Sequence, residues 1–566
     1  MKVNIGNISL GDDCEVLVQT MTNTDTNNIE ETVEQCIEVI NKGAKLVRIT
    51  AQTEKEAEKL GKIKAELVKK GYNTPIIADI HFKPKAALLA SQLIEKVRIN
   101  PGNYTNLTGS ENIESKLIPL INSCKKNNTV IRIGSNYGSL SKQILEKYGN
   151  TALGMVEAAY EFIDVCTKNN FKNIVVSMKA GDARIMIESC RLLQNRMIKN
   201  NLVFPQHLGV TEAGNGIEAR IKSAIGIGTL LSEGIGDTIR VSLTEAPVRE
   251  IPIAQKIVDI FSFKKHNKVS KFNKIERNNI LLNNKFSVIN NSDIVIENSL
   301  SADFVYTSNL ENCTNVNKNY ICNSDLWSNN KRNIHPLFST NEYINSETKS
   351  DSYNFVEVII SQTSDKELNL IDNDKTSVIV VNTDEFEDIF SLRNNYYKFI
   401  SKIKNTSVIL KRTYNTTDNS FILKSSGELG SLLIDKLADG IWIINNKSEP
   451  KESINISFGI LQATKLRITK TEFISCPTCG RTKFNIEQIT QEVKRKTSHL
   501  KGLKIAVMGC VVNGPGEMAD ADYGYVGSSA NKIHLYKGQD IVKKNIPQEN
   551  ALDELINLIK SCNDWT

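Results

Sequence analysis

The feature that most constrains the fold is an alternation of short apolar strands with amphipathic helical segments between residues 14 and 260. This alternation is typical of parallel β/α construction, in which each helix crosses over to the next parallel strand. Eight such strands are predicted, and eight strands favour closure into a (β/α)8 barrel, the TIM barrel. The predicted strands span residues 15–21, 45–50, 75–81, 96–100, 129–134, 173–179, 203–210 and 237–243.

Four of the predicted strands end in the same way, with one arginine between two apolar residues. Because side chains alternate along a strand, these arginines face the barrel interior near its C-terminal mouth, where barrel enzymes keep their active sites. Guanidinium groups repel one another unless they meet a polyanion, and their planar fork suits phosphate oxygens. We therefore expect a phosphorylated substrate, with a diphosphate as the first candidate. The alternative is that each arginine pairs with a nearby carboxylate. The four are Arg48, Arg98, Arg132 and Arg240, and Lys179 adds a fifth cation.

Groups that can move protons lie at two further strand ends, Asp79 with His81, and His207 with Glu212. A single histidine at a strand end is more often a hydrogen-bonded structural residue than a catalyst. Acid/base catalysis nevertheless needs such groups beside the bound substrate. These residues are therefore candidates for proton transfer.

The C-terminal region contains a different pattern, a Cys-x-x-Cys pair at Cys476 and Cys479 and a third cysteine, Cys510, after an apolar strand. Alone, the pair favours structural zinc or a redox disulfide. The third cysteine and the glycine-rich loop before Glu517 favour an iron–sulfur cluster, because such a loop can wrap closely around an inorganic core and supply a weak carboxylate ligand. His499 and Cys562 stay open as alternative fourth ligands of a zinc ion.

Composition limits the function classes. The chain has 566 residues with 40% hydrophobic content, which predicts about three domains. A net charge of +6 without a basic, aromatic-rich stripe gives no support to nucleic-acid binding. Eleven cysteines, no signal pattern and no apolar run that could span a bilayer predict a large cytoplasmic enzyme without a membrane partner.

A long middle segment, residues 270–465, is rich in Asn, Lys and Ser but contains strand-like runs at 378–381, 407–411 and 440–444. These runs alternate with helical stretches and therefore predict a folded α/β domain, although eight strands are not recognisable in it. Its lack of arginine-ended strands favours a spacer over a second active site. The predicted domains are a barrel at 1–265, an inserted α/β domain at 266–465 and a small α+β domain at 466–566.

Several segments together resemble one known family, that of hydroxymethylbutenyl diphosphate synthase, also called IspG or GcpE, of the methylerythritol phosphate route to isoprenoids. They are residues 19–24, 78–82, 98–103, 207–214 and 234–240, followed by both cysteine motifs. The middle segment resembles the extra domain of the long, plant-like members, which is described there as a second barrel-like unit.

The resemblance implies an oxidoreductase that opens and dehydrates 2-C-methyl-D-erythritol 2,4-cyclodiphosphate with two electrons and yields 4-hydroxy-3-methylbut-2-enyl diphosphate. Ferredoxin or flavodoxin would be the electron donor, and a homodimer is left open. One 4Fe-4S cluster would be held by Cys476, Cys479, Cys510 and Glu517. The substrate would be bound by Arg48, Arg98, Arg132, Lys179, Arg240 and Ser242. The catalytic polar groups would be Asp79, Asn100 and Glu212, with His207 beside them, and Glu212 would manage the departing hydroxyl.

Two other classes remain as alternatives. One is a cluster-free barrel enzyme, a phosphate-binding transferase or aldolase with a structural zinc module, whose activity would survive Cys510→Ser. The other is a zinc-stabilised binding protein, which would be colourless and would show no turnover.

Overall fold

The computed structural model describes residues 1–80, 82–104, 112–262, 275, 277–296, 300–329, 333–512 and 514–565. The chain divides into two compact units. The first unit combines residues 1–268, here the N-terminal barrel, with residues 470–566, here the C-terminal domain. The second unit, residues 269–469, is here the inserted barrel. The three domain limits drawn from the sequence stay a prediction.

Eight parallel strands form the sheet of the N-terminal barrel, in the order β8-β7-β6-β5-β4-β3-β10-β9. A parallel bridge between Val176 and Gln206 joins β8 to the residue before β9 and completes the ring, which confirms the predicted TIM barrel. The last two strands are much shorter than predicted. The strands are β3 (Leu17–Met21), β4 (Leu46–Thr50), β5 (Ile76–Asp79), β6 (Lys96–Ile99), β7 (Val130–Asn136), β8 (Ile174–Lys179), β9 (His207–Leu208) and β10 (Thr238–Ile239).

Two short antiparallel strands that the sequence analysis did not predict, β1 (Val3–Ile5) and β2 (Ile8–Leu10), come before the barrel. Their apolar side chains pack against the first residues of the barrel strands. They therefore cover the N-terminal end of the barrel, opposite the mouth with the arginines.

The crossover helices start at side-chain caps. Thr53, for example, accepts a hydrogen bond from the Glu56 N–H while the Glu56 carboxylate accepts from the Thr53 N–H, a capping box that fixes the start of α2. The helices are α1 (Ile29–Asn41), α2 (Glu54–Lys69), α3 (Pro84–Ala90), α4 (Pro101–Tyr104), α5 (Ile113–Asn127), α6 (Lys142–Tyr148), α7 (Ala152–Lys168), α8 (Ala183–Lys199), α9 (Gly216–Ser232) and α10 (Pro247–Phe261). None of the described helices is long and apolar enough to cross a membrane.

The inserted barrel is a second closed ring of eight parallel strands, with β11 paired to β18. Its interior is packed with large apolar side chains such as Phe304, Phe355 and Trp442. Its strands are β11 (Ser287–Asn290), β12 (Phe304–Tyr306), β13 (Asn319–Asn323), β14 (Ile334–Ser339), β15 (Asn354–Ile359), β16 (Ser377–Asn382), β17 (Ser407–Tyr414) and β18 (Gly440–Asn445). Its α-helices are α11 (Thr340–Asn345), α12 (Asp365–Asp372), α13 (Ile389–Ile400), α14 (Asp418–Leu433) and α15 (Pro450–Ala463).

The C-terminal domain has the predicted α+β character. A five-stranded sheet begins with three parallel strands and continues with two antiparallel ones. Its strands are β19 (Glu472–Ser475), β20 (Lys504–Met508), β21 (Tyr523–Ser529), β22 (Lys532–Lys537) and β23 (Asp540–Pro547), and its helices are α16 (Ile486–Thr497), α17 (Gly514–Glu517) and α18 (Gln548–Ser561). Helices α16 and α18 pack on one face of this sheet.

Candidate active site

One cavity lies between the mouth of the N-terminal barrel and the C-terminal domain of the same chain. It encloses about 760 Å³ of space between protein atoms, part of it open to solvent. Its barrel residues are Met21, Arg48, Asp79, Arg98, Arg132, Asn136, Ser177, Lys179, His207, Thr211, Glu212, Arg240 and Ser242. Its residues from the C-terminal domain are Cys476, Pro477, Cys479, Arg481, Cys510, Gly514 and Glu517.

The structure brings the four predicted arginines to this cavity, and three of them face carboxylates. Asp79 Oδ1 lies 3.8 Å from Arg48 Nη1 and 3.3 Å from Arg98 Nη1. Arg240 makes a two-pronged ion pair with Glu250, at 3.3 Å and 3.2 Å, and both side chains are buried. The alternative of carboxylate pairing is thus partly realised, and these pairs hold the guanidinium groups in fixed orientations.

Arg132 is different, because its Nε and Nη2 atoms are buried without a hydrogen-bond partner among the described residues. Its Nη1 atom donates to the Ser177 hydroxyl at 3.4 Å. Lys179 also lines the cavity, close to Gly209, where a Cβ would lie 2.4 Å from the Lys179 Nζ atom and 2.4 Å from the Arg240 carbonyl oxygen, so the backbone clash requires glycine there. Burial and the neighbouring guanidiniums hold the pKa of Lys179 and of Arg132 well below their ordinary values. Such crowding of positive charge is favourable only with an anion in place.

Lys96 lies deeper in the barrel, two residues before Arg98 on β6 and therefore on the same face of the strand. Its side chain is fully buried, and its Nζ atom has no hydrogen-bond partner among the described residues. Burial, with Arg132 and Arg48 nearby, holds its pKa well below the ordinary value. The sequence analysis did not single out this residue.

His207 is buried at the cavity, where its Nδ1 atom lies 2.8 Å from the Thr238 hydroxyl and its Nε2 atom 3.5 Å from the Gln19 amide. Burial and the surrounding cations lower its pKa well below the ordinary value, so the ring is neutral near pH 7. A neutral imidazole adds no further positive charge to the site.

Two glutamates meet in the cavity across the two domains. Glu212 has a φ of 49°, a strained backbone conformation for a residue with a side chain, and its carboxyl hydrogen-bonds with that of Glu517. Burial, and then the neighbouring Glu517, raise the pKa of Glu212 well above its ordinary value. Burial also raises the pKa of Glu517. Burial therefore favours the protonated form of both carboxyl groups.

The three cysteines line the same cavity as Glu517. The Gly509 N–H donates a hydrogen bond to Cys476 Sγ at 3.2 Å, and Thr482 Oγ1 lies 4.0 Å from Cys479 Sγ. Among the described residues, no three or more His, Cys, Asp or Glu side chains are grouped closely enough to surround a single metal ion.

Side-chain and backbone contacts hold the C-terminal domain against the barrel. Thr244 Oγ1 lies 2.6 Å from Ser475 Oγ and donates to the Cys476 carbonyl at 3.1 Å, and Ala213 forms a parallel bridge with Ser475. Gly138 approaches Gly516 closely, because a Cβ at residue 138 would lie 2.0 Å from the carbonyl oxygen of Gly516. The position of the cysteines at the cavity therefore depends on contacts within one chain.

Not every predicted site residue reaches the cavity. Asn100 is buried beside it, where its Oδ1 accepts from the Gly102 N–H at 3.1 Å and its Nδ2 donates to Ser139 at 2.8 Å, so it fixes the start of α4. His81 lies outside the described residues. His499 packs edge-on against Trp565, with the ring centroids 5.0 Å apart, and is not among the lining residues. Cys562, at the end of α18, is not among them either.

Arg481 is the main lining residue that the sequence analysis missed. The available signal was its place directly after the Cys-x-x-Cys turn, as the first charged residue beyond it. A single arginine next to a turn is common, however, and only the tertiary structure shows that it points into the cavity.

Comparison with known proteins places the chain in a family. A family model described as the GcpE TIM-barrel domain matches residues 1–255, and one described as the GcpE protein C-terminal domain matches residues 472–561. The chain is 40% identical to the 4-hydroxy-3-methylbut-2-en-1-yl diphosphate synthase (flavodoxin) of Parabacteroides distasonis, over 99% of this chain and 97% of that protein. The chain belongs to the 4-hydroxy-3-methylbut-2-en-1-yl diphosphate synthase family. This confirms the resemblance seen in the sequence motifs.

Other relatives agree. The synthase of the same name from Phocaeicola vulgatus is 38% identical over the whole of this chain and 98% of its own length. The synthase of that name from Leptospira interrogans is 36% identical over the whole of this chain and 96% of its own length. Because these matches are nearly full-length, relatives in the synthase family share the inserted segment that neither family model covers. Among solved structures, dihydropteroate synthase from Clostridium difficile is 14% identical with a TM-score of 0.32 and covers 44% of this chain.

Proposed function

We propose that this chain catalyses the reductive ring opening and dehydration of 2-C-methyl-D-erythritol 2,4-cyclodiphosphate to 4-hydroxy-3-methylbut-2-enyl diphosphate in the cytoplasm. The single observation that carries the proposal is that one cavity contains both a cluster of buried cations and three cysteines with a glutamate. The cations suit a diphosphate, and the thiolates suit a redox centre. The relatives named for this reaction match the whole chain.

The barrel side would bind the diphosphate. Arg132 and Lys179 have the positive charge least compensated by the protein, so we assign them the closest contacts with the phosphate oxygens. Arg48, Arg98 and Arg240 already face carboxylates, which orient their remaining N–H groups toward the cavity. Ser242, also at the cavity, adds a hydroxyl donor. Asp79 then serves to orient arginines and not to transfer a proton.

Glu212 would supply the proton. Its raised pKa favours the protonated carboxyl group, and its strained backbone holds the side chain in the cavity beside Glu517. Ring opening and dehydration consume two electrons and a proton and release one oxygen as water. A protonated Glu212 next to the departing hydroxyl allows it to leave as water and not as hydroxide.

The residues present fit a 4Fe-4S cluster. Three cysteine side chains and the Glu517 carboxyl group line one cavity, and a backbone N–H already donates to Cys476 Sγ, as is common for cluster ligands. Cys476, Cys479, Cys510 and Glu517 would hold the cluster. When bound, such a cluster supplies electrons one at a time at low potential. Because one chain contributes both halves of the cavity, the site does not need a second copy.

Flavodoxin is the proposed electron donor, because the names of the relatives specify it. Reduced flavodoxin should support turnover of the cyclodiphosphate by the purified protein. A reduced ferredoxin serves as the comparison, because the sequence alone did not distinguish the two donors.

Metal content in protein purified without oxygen tests the proposal. We expect about four iron atoms per chain in the wild type and in Cys562→Ser, a control that removes a thiol outside the cavity. Cys510→Ser should lose the iron and the turnover. About one zinc and no iron in the wild type, after reconstitution with iron and sulfide, would overturn the assigned function and leave the cysteines structural.

A further inference from the structure

Arg481 projects from the C-terminal domain into the cavity, two residues after Cys479. The turn that carries it is seated on the barrel, since a Cβ at Gly480 would lie 2.6 Å from the Thr24 carbonyl oxygen. The Arg481 side chain is 9% exposed. Its guanidinium group is therefore held almost entirely out of water, where an uncompensated charge is costly.

The protein compensates this charge only in part. Arg481 Nη1 lies 3.7 Å from Asp79 Oδ2, but Asp79 also faces Arg48 and Arg98 at 3.8 Å and 3.3 Å. One carboxylate cannot neutralise three guanidinium groups. A purely structural ion pair between Arg481 and Asp79 is therefore a poor explanation for burying this arginine.

Its hydrogen bonds are also incomplete. The Nε and Nη1 atoms of Arg481 are buried and have no hydrogen-bond partner among the described residues. A guanidinium group stays charged in proteins, even when it is buried. Arg481 lines the same cavity as Cys479, Cys510 and Glu517, so its unpartnered N–H groups lie near the proposed cluster ligands.

We propose that Arg481 donates hydrogen bonds to the sulfur atoms of the bound cluster and offsets part of its negative charge, which raises the cluster's reduction potential. This inference rests on the proposed function, because it requires the cluster. A cluster held by three thiolates and a carboxylate is anionic, and each added electron increases that negative charge. Hydrogen bonds to sulfur and nearby positive charge both favour the reduced form. Arg481 is thus a positioning and tuning residue.

The test measures the reduction potential of the cluster by titration monitored by electron paramagnetic resonance. Arg481→Met removes the charge and keeps a similar length, and Arg481→Lys keeps the charge but loses the planar fork. The matched control is Arg249→Met. Arg249 also links the barrel to the C-terminal domain, through Glu487 at 3.1 Å, but it is 59% exposed, so water screens its charge.

We expect Arg481→Met to keep its iron and to have a lower potential than the wild type, with turnover by flavodoxin reduced and partly restored by a stronger reductant. The reduction potential of Arg481→Lys should lie between those of Arg481→Met and the wild type, and the potential of Arg249→Met should equal that of the wild type. An unchanged potential in Arg481→Met overturns the inference. If Arg481→Met loses its iron, the reduction potential of Arg481→Lys is the deciding measurement. A potential of Arg481→Lys equal to that of the wild type then overturns the inference.

Substrate affinity distinguishes tuning of the cluster by Arg481 from direct binding of the substrate diphosphate by Arg481. If Arg481 mainly bound the diphosphate, Arg481→Met would weaken cyclodiphosphate binding by more than about tenfold and leave the potential unchanged, which also overturns the inference. Failure of the proposed function looks different, because the wild type itself would then lack iron.

Discussion

Replacing Gly138 with alanine tests whether catalysis depends on the contact between the barrel and the loop that carries Glu517. Gly138 follows β7, and a Cβ there would lie 2.0 Å from the carbonyl oxygen and 2.5 Å from the carbonyl carbon of Gly516, and 3.0 Å from the Glu517 nitrogen. All three are backbone atoms, so rotation of a side chain cannot relieve the clash. The two loops must move apart.

The size of that movement follows from the distances. Real Cβ atoms essentially never approach another atom within 3.0 Å, so the loops must separate by about 1 Å, the difference from 2.0 Å. A misplacement of about 1 Å at a reacting centre costs about 100-fold in rate. We therefore expect kcat of Gly138→Ala to fall about 100-fold. The dissociation constant for the cyclodiphosphate should change less than about threefold, because the cationic side chains that we propose to bind the diphosphate belong to the barrel.

The assays are steady-state turnover with reduced flavodoxin, calorimetric titration of the oxidised protein with the cyclodiphosphate, and iron content. Gly61→Ala is the control, because its Cβ would meet only side-chain atoms of Leu93, the nearest at 3.2 Å. Gly516→Ala should reproduce the defect, since its Cβ would lie 2.3 Å from the Gly138 carbonyl oxygen. Wild-type turnover by Gly138→Ala, with full iron content, would refute the reasoning and show that the two loops are apart during catalysis.

Ionisable side chains in the cavity and in the barrel beneath it give four further predictions. Glu212→Gln keeps a hydrogen-bonding group beside Glu517 but has no acidic proton to transfer. Its kcat should therefore fall about 10²–10⁴-fold, with unchanged substrate affinity. A kcat within about tenfold of the wild-type value would contradict this role of Glu212. The pKa of Lys179 is lowered in the free protein and rises again beside a bound diphosphate, so binding takes up protons and weakens as pH rises. Calorimetry in buffers of different ionisation enthalpy measures this uptake, which Lys179→Met should reduce. Lys96→Met removes a buried amine without a hydrogen-bond partner and should raise the free energy of unfolding by about 1–3 kcal/mol in urea titrations; a lower value would contradict this reading of Lys96. Glu250→Ala leaves Arg240 buried without its ion pair and should cost about 3–5 kcal/mol by the same method, a loss that added inorganic diphosphate lessens.

The arrangement of the N-terminal barrel could be predicted from the sequence because its signals are local. Strand and helix periodicity is read within a window of about 10–18 residues, and parallel strands with crossover helices have few ways to close. The convergence of Arg48, Arg98, Arg132 and Arg240 followed from the same regularity, since each lies on the inward face near the end of a strand. The cysteine motif was likewise recognisable from spacing alone.

The inserted barrel was harder to predict. Strands such as β12 (Phe304–Tyr306) are only three residues long and lie among Asn-rich loops, so their local pattern is weak. Closure of the ring depends on the pairing of β11 with β18, which are separated by about 150 residues along the chain. No local window contains that information.

The sequence by itself thus determined the barrel and the inward arginines, because each depends on periodicity along the chain, and the spacing of the cysteines led to the donor set that we propose for a metal centre. The tertiary structure alone decided how these parts combine. It placed Glu212 against Glu517, turned Asn100 away from the cavity into a helix start, and put Arg481 beside Asp79. These contacts join residues hundreds of positions apart, and they exist because the C-terminal domain packs on the barrel of its own chain.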